Sequence, residues 1–161
     1  MKKLFVLVLA IVGLTTMTHA QTKGEMAAGV HFAYGSGDGF SNMGLGAKFQ
    51  WNVLDNLRVE PSFTYFMKKD YVSMWDISAN AHYQFVLSDK LDVYPLAGLS
   101  VMGVKAGVGD FKASDSEFGL NIGGGVDFDL SSTLALNAEA KYKMGGDWSR
   151  LILSVGVAYK F

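Results

Sequence analysis

The chain has 161 residues, with 14 basic and 15 acidic side chains for a net charge of −1, 19 glycines, two prolines, 13% aromatic residues and no cysteine. That length holds one domain, the missing cysteine rules out a disulfide framework or a lipidated-cysteine anchor, and the balanced charge gives no footprint for nucleic acid. Many glycines and aromatics without long helical periodicity favour short strands joined by tight turns.

Residues 1–20 read as a secretory signal peptide. Lys2 and Lys3 form a basic start, residues 4–14 are an apolar run, and Thr18 and Ala20 are small residues placed for cleavage before Gln21. The run falls short of the roughly 20 apolar residues that a membrane-spanning helix needs. Cleavage removes two of the 14 basic residues and none of the 15 acidic ones, so residues 21–161 carry a net charge of −3.

From Met26 onward the apolar pattern has period two, which places one set of side chains on each face of a strand. The first segment sets Met26, Val30, Phe32 and Tyr34 against Glu25 and His31, and the second sets Leu45, Phe49 and Trp51 against Lys48, Gln50 and Asn52. The third sets Val59, Phe63 and Tyr65 against Arg58, Glu60 and Thr64, with Phe66 out of phase. In the fourth, Trp75, Ile77, Tyr83 and Phe85 oppose Asp76, Ser78, Asn80 and His82. In the fifth, Leu91, Val93, Leu99 and Val101 oppose Asp92, Tyr94 and Ser100. The sixth sets Phe118, Leu120, Ile122, Val126 and Phe128 against Asn121, Asp127, Asp129 and several glycines. The seventh places Leu134, Leu136, Tyr142 and Met144 opposite Asn137, Glu139, Lys141 and Lys143. The eighth places Leu151, Leu153, Val155, Val157, Tyr159 and Phe161 opposite Ser154, Gly156 and Lys160. Strands of about eleven residues tilted by about 40° climb roughly 28 Å, which suits the apolar band of about 25 Å on an outer-membrane barrel.

Residues 53–59, 87–93 and 130–136 share one pattern: an apolar residue, three turn residues, Leu, a spacer and an aliphatic. Three such turns at alternate connections of a meander lie at one end with both termini, the periplasmic end. Residues 35–42, 68–73, 103–116 and 145–149 then face outward, and only 103–116 has any length. The Gly-Asp-rich residues 35–39 read as a turn. Trp51, Phe85, Phe128, Tyr159 and Phe161 fall near the turn end of their strands, and Tyr34, Tyr65, Trp75, Phe118 and Tyr142 near the loop end, as two interfacial girdles would. The competing reading of the alternation is a soluble lipocalin-like carrier with its apolar face inward. It would pack Trp51, Trp75, Phe49 and Phe63 into an interior just wide enough for side chains.

The inward face carries Lys48, Arg58, Glu60, Glu139 and Lys141 among charges nearly balanced in sign, read as a paired polar plug; the alternative is a path for ions or solutes. Three-residue turns place Gln50 opposite Glu60 and Asn52 opposite Arg58, and make Lys48 a diagonal neighbour of Glu60. The inward glycines leave room for small water-filled pockets. Pro61 and Pro95 lack a ladder donor, which predicts a bulge or a break in pairing. His31 and His82 face inward without an obvious serine or carboxylate beside them at the loop rim, so a lipid-modifying barrel enzyme is disfavoured. No catalytic, cofactor-binding or metal-ligating residue is predicted.

The leader, the eight alternating strands, the short turns at one end and the ending Val157-Ala158-Tyr159-Lys160-Phe161 resemble the small outer-membrane β-barrel proteins of Gram-negative bacteria, the OmpA-barrel and OmpX type. The resemblance implies an all-β, eight-stranded antiparallel up-and-down transmembrane barrel over residues 21–161. It implies export through the periplasm to the outer membrane, with lipid and lipopolysaccharide around the wall. It also implies periplasmic chaperones and the barrel-assembly machinery as partners in biogenesis, with Val157, Tyr159 and Phe161 as the assembly signal. The expected function is a structural or surface-interaction role without catalysis. The alternative is a narrow porin-like channel for small or hydrophobic solutes.

Overall fold

The computed structural model describes residues 23–37, 39–108, 111–146 and 149–161, so the leader predicted at 1–20 lies outside the described residues. Its strands are β1 (Met26–Gly37), β2 (Phe40–Leu54), β3 (Leu57–Lys69), β4 (Val72–Tyr83), β5 (Phe85–Ser88), β6 (Leu91–Val108), β7 (Phe111–Asp129), β8 (Leu134–Met144) and β9 (Arg150–Lys160). β4 and β5 are two lengths of one stave, and both pair with β6. The sheet order β4-β3-β2-β1-β9-β8-β7-β6-β5 closes through the β4–β6 pairing, giving a closed eight-stranded antiparallel up-and-down barrel. Closure leaves no sheet edge within the wall, the condition for a β-structure in lipid.

The two prolines interrupt hydrogen bonding without shifting register. Stave four breaks between β4 and β5 opposite Pro95, yet His82↔Leu96 and Phe85↔Val93 keep one register across the break. On the other side Pro95 pairs with Gly124. Pro61 behaves alike: Lys48↔Ser62 and Trp51↔Val59 are in register on either side of it, and Pro61 pairs with Ala79 of β4. A missing N–H opens the ladder but adds no residue, so a break forms at each proline and a bulge at neither.

The expected long loop at 103–116 is strand over residues 103–108 and 111–116. The β6–β7 ladder runs from Leu91↔Phe128 to Val108↔Phe111, in strands of 18 and 19 residues rather than about eleven. Backbone pairing is indifferent to the glycine- and serine-rich composition that reads as loop. Among the described strands, β7 pairs with β8 only from Leu120↔Met144 onward, and β6 pairs with β4 as far as Val72↔Ala106. The β6–β7 hairpin therefore projects at the loop end, with residues 111–116 of β7 bonded on one side. The β3–β4 connection is a two-residue turn with positive φ at Asp70 (49°) and Tyr71 (67°), the primed geometry that matches strand twist.

Burial is inside out. Val30, Leu45, Phe63, Ile77, Leu120 and Leu153 are exposed on the wall, whereas Lys48, Arg58, Glu60, Asp76, Glu139 and Lys143 are buried in the lumen. The soluble-carrier reading is overturned by this polarity, because the alternating apolar face points outward. Trp51, Phe128, Tyr159 and Phe161 at the turn end, and Tyr34, Tyr65, Phe118 and Tyr142 at the loop end, are exposed on the wall as the girdles require.

Candidate functional site

The lumen is divided along its length. Toward the loop end an apolar layer joins Ala33, Phe66, Met74, Met102, Val104 and Ile152, with Phe40 and Val72 packed against it. Register explains the layer: Ala33, Gly44, Phe66, Met74 and Val104 are successive ladder partners across β1, β2, β3, β4 and β6. Arg150 closes it from β9. Its guanidinium carbon lies 4.7 Å from the centroid of the Phe66 ring, and its Nη2 donates to Asn42 Oδ1 of β2 at 2.5 Å, reaching over β1.

Below this layer the lumen is ionic. Lys48 reaches Glu60 at 3.3 Å, and Gln50 Nε2 donates to Glu60 Oε2 at 2.8 Å, the contacts expected from the β2–β3 register. Arg58 faces Asn52 as expected, with Nε donating to Asn52 Oδ1 at 3.1 Å. Its ionic partner is Asp127 of β7, at 2.5 Å across the lumen. Lys141 lies 3.4 Å from Glu139 Oε1 on its own strand. Lys143 spans from β8 to Asp76 of β4 at 3.2 Å, and Ser78 donates to the same carboxylate. Asn121 joins this group by donating to Ser78 Oγ at 3.3 Å; it also donates to Asn80 Oδ1 at 2.9 Å and accepts from Ser100 Oγ at 3.1 Å. Asp129 and Lys160 sit at the turn-end mouth, 2.8 Å apart and only half-buried.

Inward glycines hold large neighbours rather than water. A Cβ built on Gly46 would meet the His31 ring at 2.4 Å, one on Gly125 the Tyr94 ring at 2.6 Å, one on Gly119 Lys143 Cε at 2.6 Å and one on Gly44 Phe66 Cδ1 at 2.9 Å. Each contact is closer than real Cβ atoms tolerate. The expected pockets at these glycines are occupied by protein, which corrects that reading.

The five lumen residues named from sequence, Lys48, Arg58, Glu60, Glu139 and Lys141, all lie in this lower network. Sequence reasoning missed the apolar layer, the Arg150 crossing and the Lys143–Asp76 span. Two signals for the layer were present: Phe66 out of phase, and Ile152 on the inward face of the closing strand. Of the histidines, His31 Nε2 is 2.9 Å from Thr64 Oγ1, while its Nδ1 and both ring nitrogens of His82 have no hydrogen-bond partner. Neither is paired with a serine, so there is no Ser-His dyad among the described residues. On the outer wall of β9, Val157, Tyr159 and Phe161 are exposed, the Phe161 ring lies 6.4 Å from Phe49, and Phe161 N–H donates to Met26 at 2.9 Å.

Comparison with known structures returns barrels of the same size. The N-terminal β-barrel domain of Pseudomonas aeruginosa OprF is similar at a TM-score of 0.74 and 18% identity, over 86% of this chain and 98% of that one. Ail, the attachment invasion locus protein of Yersinia pestis, gives 0.66 and 20%, over 87% and 100%. Neisserial surface protein A gives 0.67 and 21%, over 85% and 96%. At these identities the likeness shows the fold. No curated protein sequence matches the chain. The model of the outer membrane protein beta-barrel domain matches residues 5–161, nearly the whole sequence, and with the inside-out barrel and its two aromatic girdles this chain belongs to that family and resides in the outer membrane.

Proposed function

We propose that this protein is a non-catalytic surface-interaction barrel, exported behind a cleaved leader at residues 1–20 and inserted by the barrel-assembly machinery with the help of periplasmic chaperones. Lipid and lipopolysaccharide surround its wall. The observation that carries the reading is the β6–β7 hairpin, which projects at the loop end with one side of residues 111–116 unpaired among the described strands. Ser116 N–H is taken by Asp115 Oδ1 at 2.8 Å, but an edge without a neighbouring strand is still a template for an extended segment of another chain. Two related barrels carry surface or attachment in their names, which agrees with this reading.

Orientation is the first test. Ser114 and Ser132 are both exposed, at the loop end and the turn end respectively. A cysteine at Ser114 should react with an impermeant thiol reagent on intact cells, and one at Ser132 should not. Labelling in the reverse order overturns the assignment of the loop end to the cell surface. Whole cells with and without the hairpin tip should then differ in binding to a panel of host and bacterial surface proteins.

The porin-like alternative needs an open lumen, and an eight-stranded interior is only wide enough for side chains to fill. The apolar layer and the ion-pair network occupy it from both ends. Purified protein in a planar bilayer should therefore show no steady conductance. Stable, well-resolved openings in the wild type would favour the channel.

A further inference from the structure

Three lumen side chains from three staves meet below the apolar layer: Glu60 on β3, His82 on β4 and Glu139 on β8. One carboxylate oxygen from each acid and one His82 ring nitrogen all lie within 4.8 Å of one another. The residues are 2%, 0% and 5% exposed. Both His82 nitrogens lack a hydrogen-bond partner, a rare condition for a fully buried imidazole. Its Nε2 stands 4.0 Å from Glu139 Oε2, beyond hydrogen-bonding distance. The ring is clamped there by stacking on Tyr94, with centroids 4.4 Å apart and planes within 5°. Tyr94 in turn donates its hydroxyl to Glu139 Oε2 at 3.4 Å.

We propose that Glu60, His82 and Glu139 form a lumenal site for a divalent transition-metal cation such as Zn2+. One imidazole nitrogen and two carboxylate oxygens are a donor set that such ions take, and the ion would supply the partner that His82 lacks. Tyr94 supports the site from behind by holding both the ring and the Glu139 carboxylate. With metal–ligand bonds of about 2.0–2.1 Å, ligand atoms around a tetrahedral ion stand roughly 3.3 Å apart, so side-chain movement alone can close the cluster. Sequence parity placed all three residues in the lumen but could not bring β8 against β3 and β4.

Charge sets the character of the site. Lys48 lies 3.3 Å from Glu60 Oε2 and Lys141 3.4 Å from Glu139 Oε1, so both carboxylates are compensated without an ion. The neighbouring Arg58 and Asp127 are paired with each other. An incoming dication is repelled by both ammonium groups, and removing one lysine should therefore tighten binding. Lys48 and Lys141 act as place-holders that let the barrel fold with or without metal. The inference stands apart from the surface reading, because it concerns the interior alone.

The test uses protein without a histidine tag, refolded in detergent with or without Zn2+, dialysed, and assayed for bound metal and thermal unfolding midpoint; heat-modifiable gel migration verifies folding. Wild type should retain one Zn2+ per chain and unfold at a higher temperature than the metal-free protein. His82→Ala and Glu139→Gln should each weaken binding about tenfold or more. Lys141→Met should bind more tightly, and His31→Ala should match wild type. If His82→Ala fails to refold, Glu139→Gln and the visible absorption of a Co2+-loaded wild type decide the matter. Substoichiometric metal in the wild type, equal retention by Glu139→Gln, or weaker binding by Lys141→Met overturns the site.

Discussion

Arg58→Ala should lower the unfolding free energy of the refolded barrel by about 3–5 kcal/mol, the usual effect of removing one partner from a buried pair. Asp127 is left with its charge in a lumen closed to water, since both members of the pair are almost fully buried and 2.5 Å apart. Asn52 loses a donor at the same time. The loss comes from the stranded carboxylate more than from the missing bond, so Arg58→Ala combined with Asp127→Asn should recover part of it. Urea unfolding of the two single variants, the double variant and wild type in one lipid or detergent measures both quantities. A loss below about 1 kcal/mol for Arg58→Ala would mean that water reaches Asp127, and the lumen would then be a wet path rather than a plug.

Phe161→Ala should separate folding in the test tube from assembly in the cell. The ring sits on the wall at the turn-end girdle, near Phe49, and its backbone N–H bonds to Met26. Truncation removes interfacial burial worth on the order of 2 kcal/mol, which a barrel held by eight closed ladders can absorb on refolding in detergent. In cells the same variant should accumulate far less assembled protein, because the proposal assigns Val157, Tyr159 and Phe161 to recognition by the assembly machinery before β9 closes on β1. Heat-modifiable migration of refolded protein, set beside the outer-membrane yield, gives both readings. Normal yield from the variant would withdraw the assembly role from Phe161.

The wall of this barrel was legible because its code is local. Period-two alternation fixes which face each residue takes, and the three matched turns fix strand pairing on that end, so Asn52 could be set against Arg58 before any coordinates. The lumen was legible only in composition. Parity sent Arg58, Asp76 and Asp127 inward, but which charge meets which depends on tilt and stagger around the closed barrel. The Arg58–Asp127 and Lys143–Asp76 pairs join residues 69 and 67 positions apart. The hairpin at residues 103–116 was lost for a different reason. Glycine and serine there carry little side-chain preference for strand, and the ladder forms through backbone groups that composition does not report.

Alternation on the wall has a hidden degeneracy: sliding one stave by two residues restores an apolar outer face and would go unnoticed by the lipid. The fitted pairs of glycine and bulky side chain inside the barrel are what tell these alignments apart. Moved by two positions along β2, Phe66 would meet Gly46, whose space the His31 ring already fills. The interior thus works as a vernier for the exterior, and an inward glycine together with the side chain resting on it should tolerate change only as a couple.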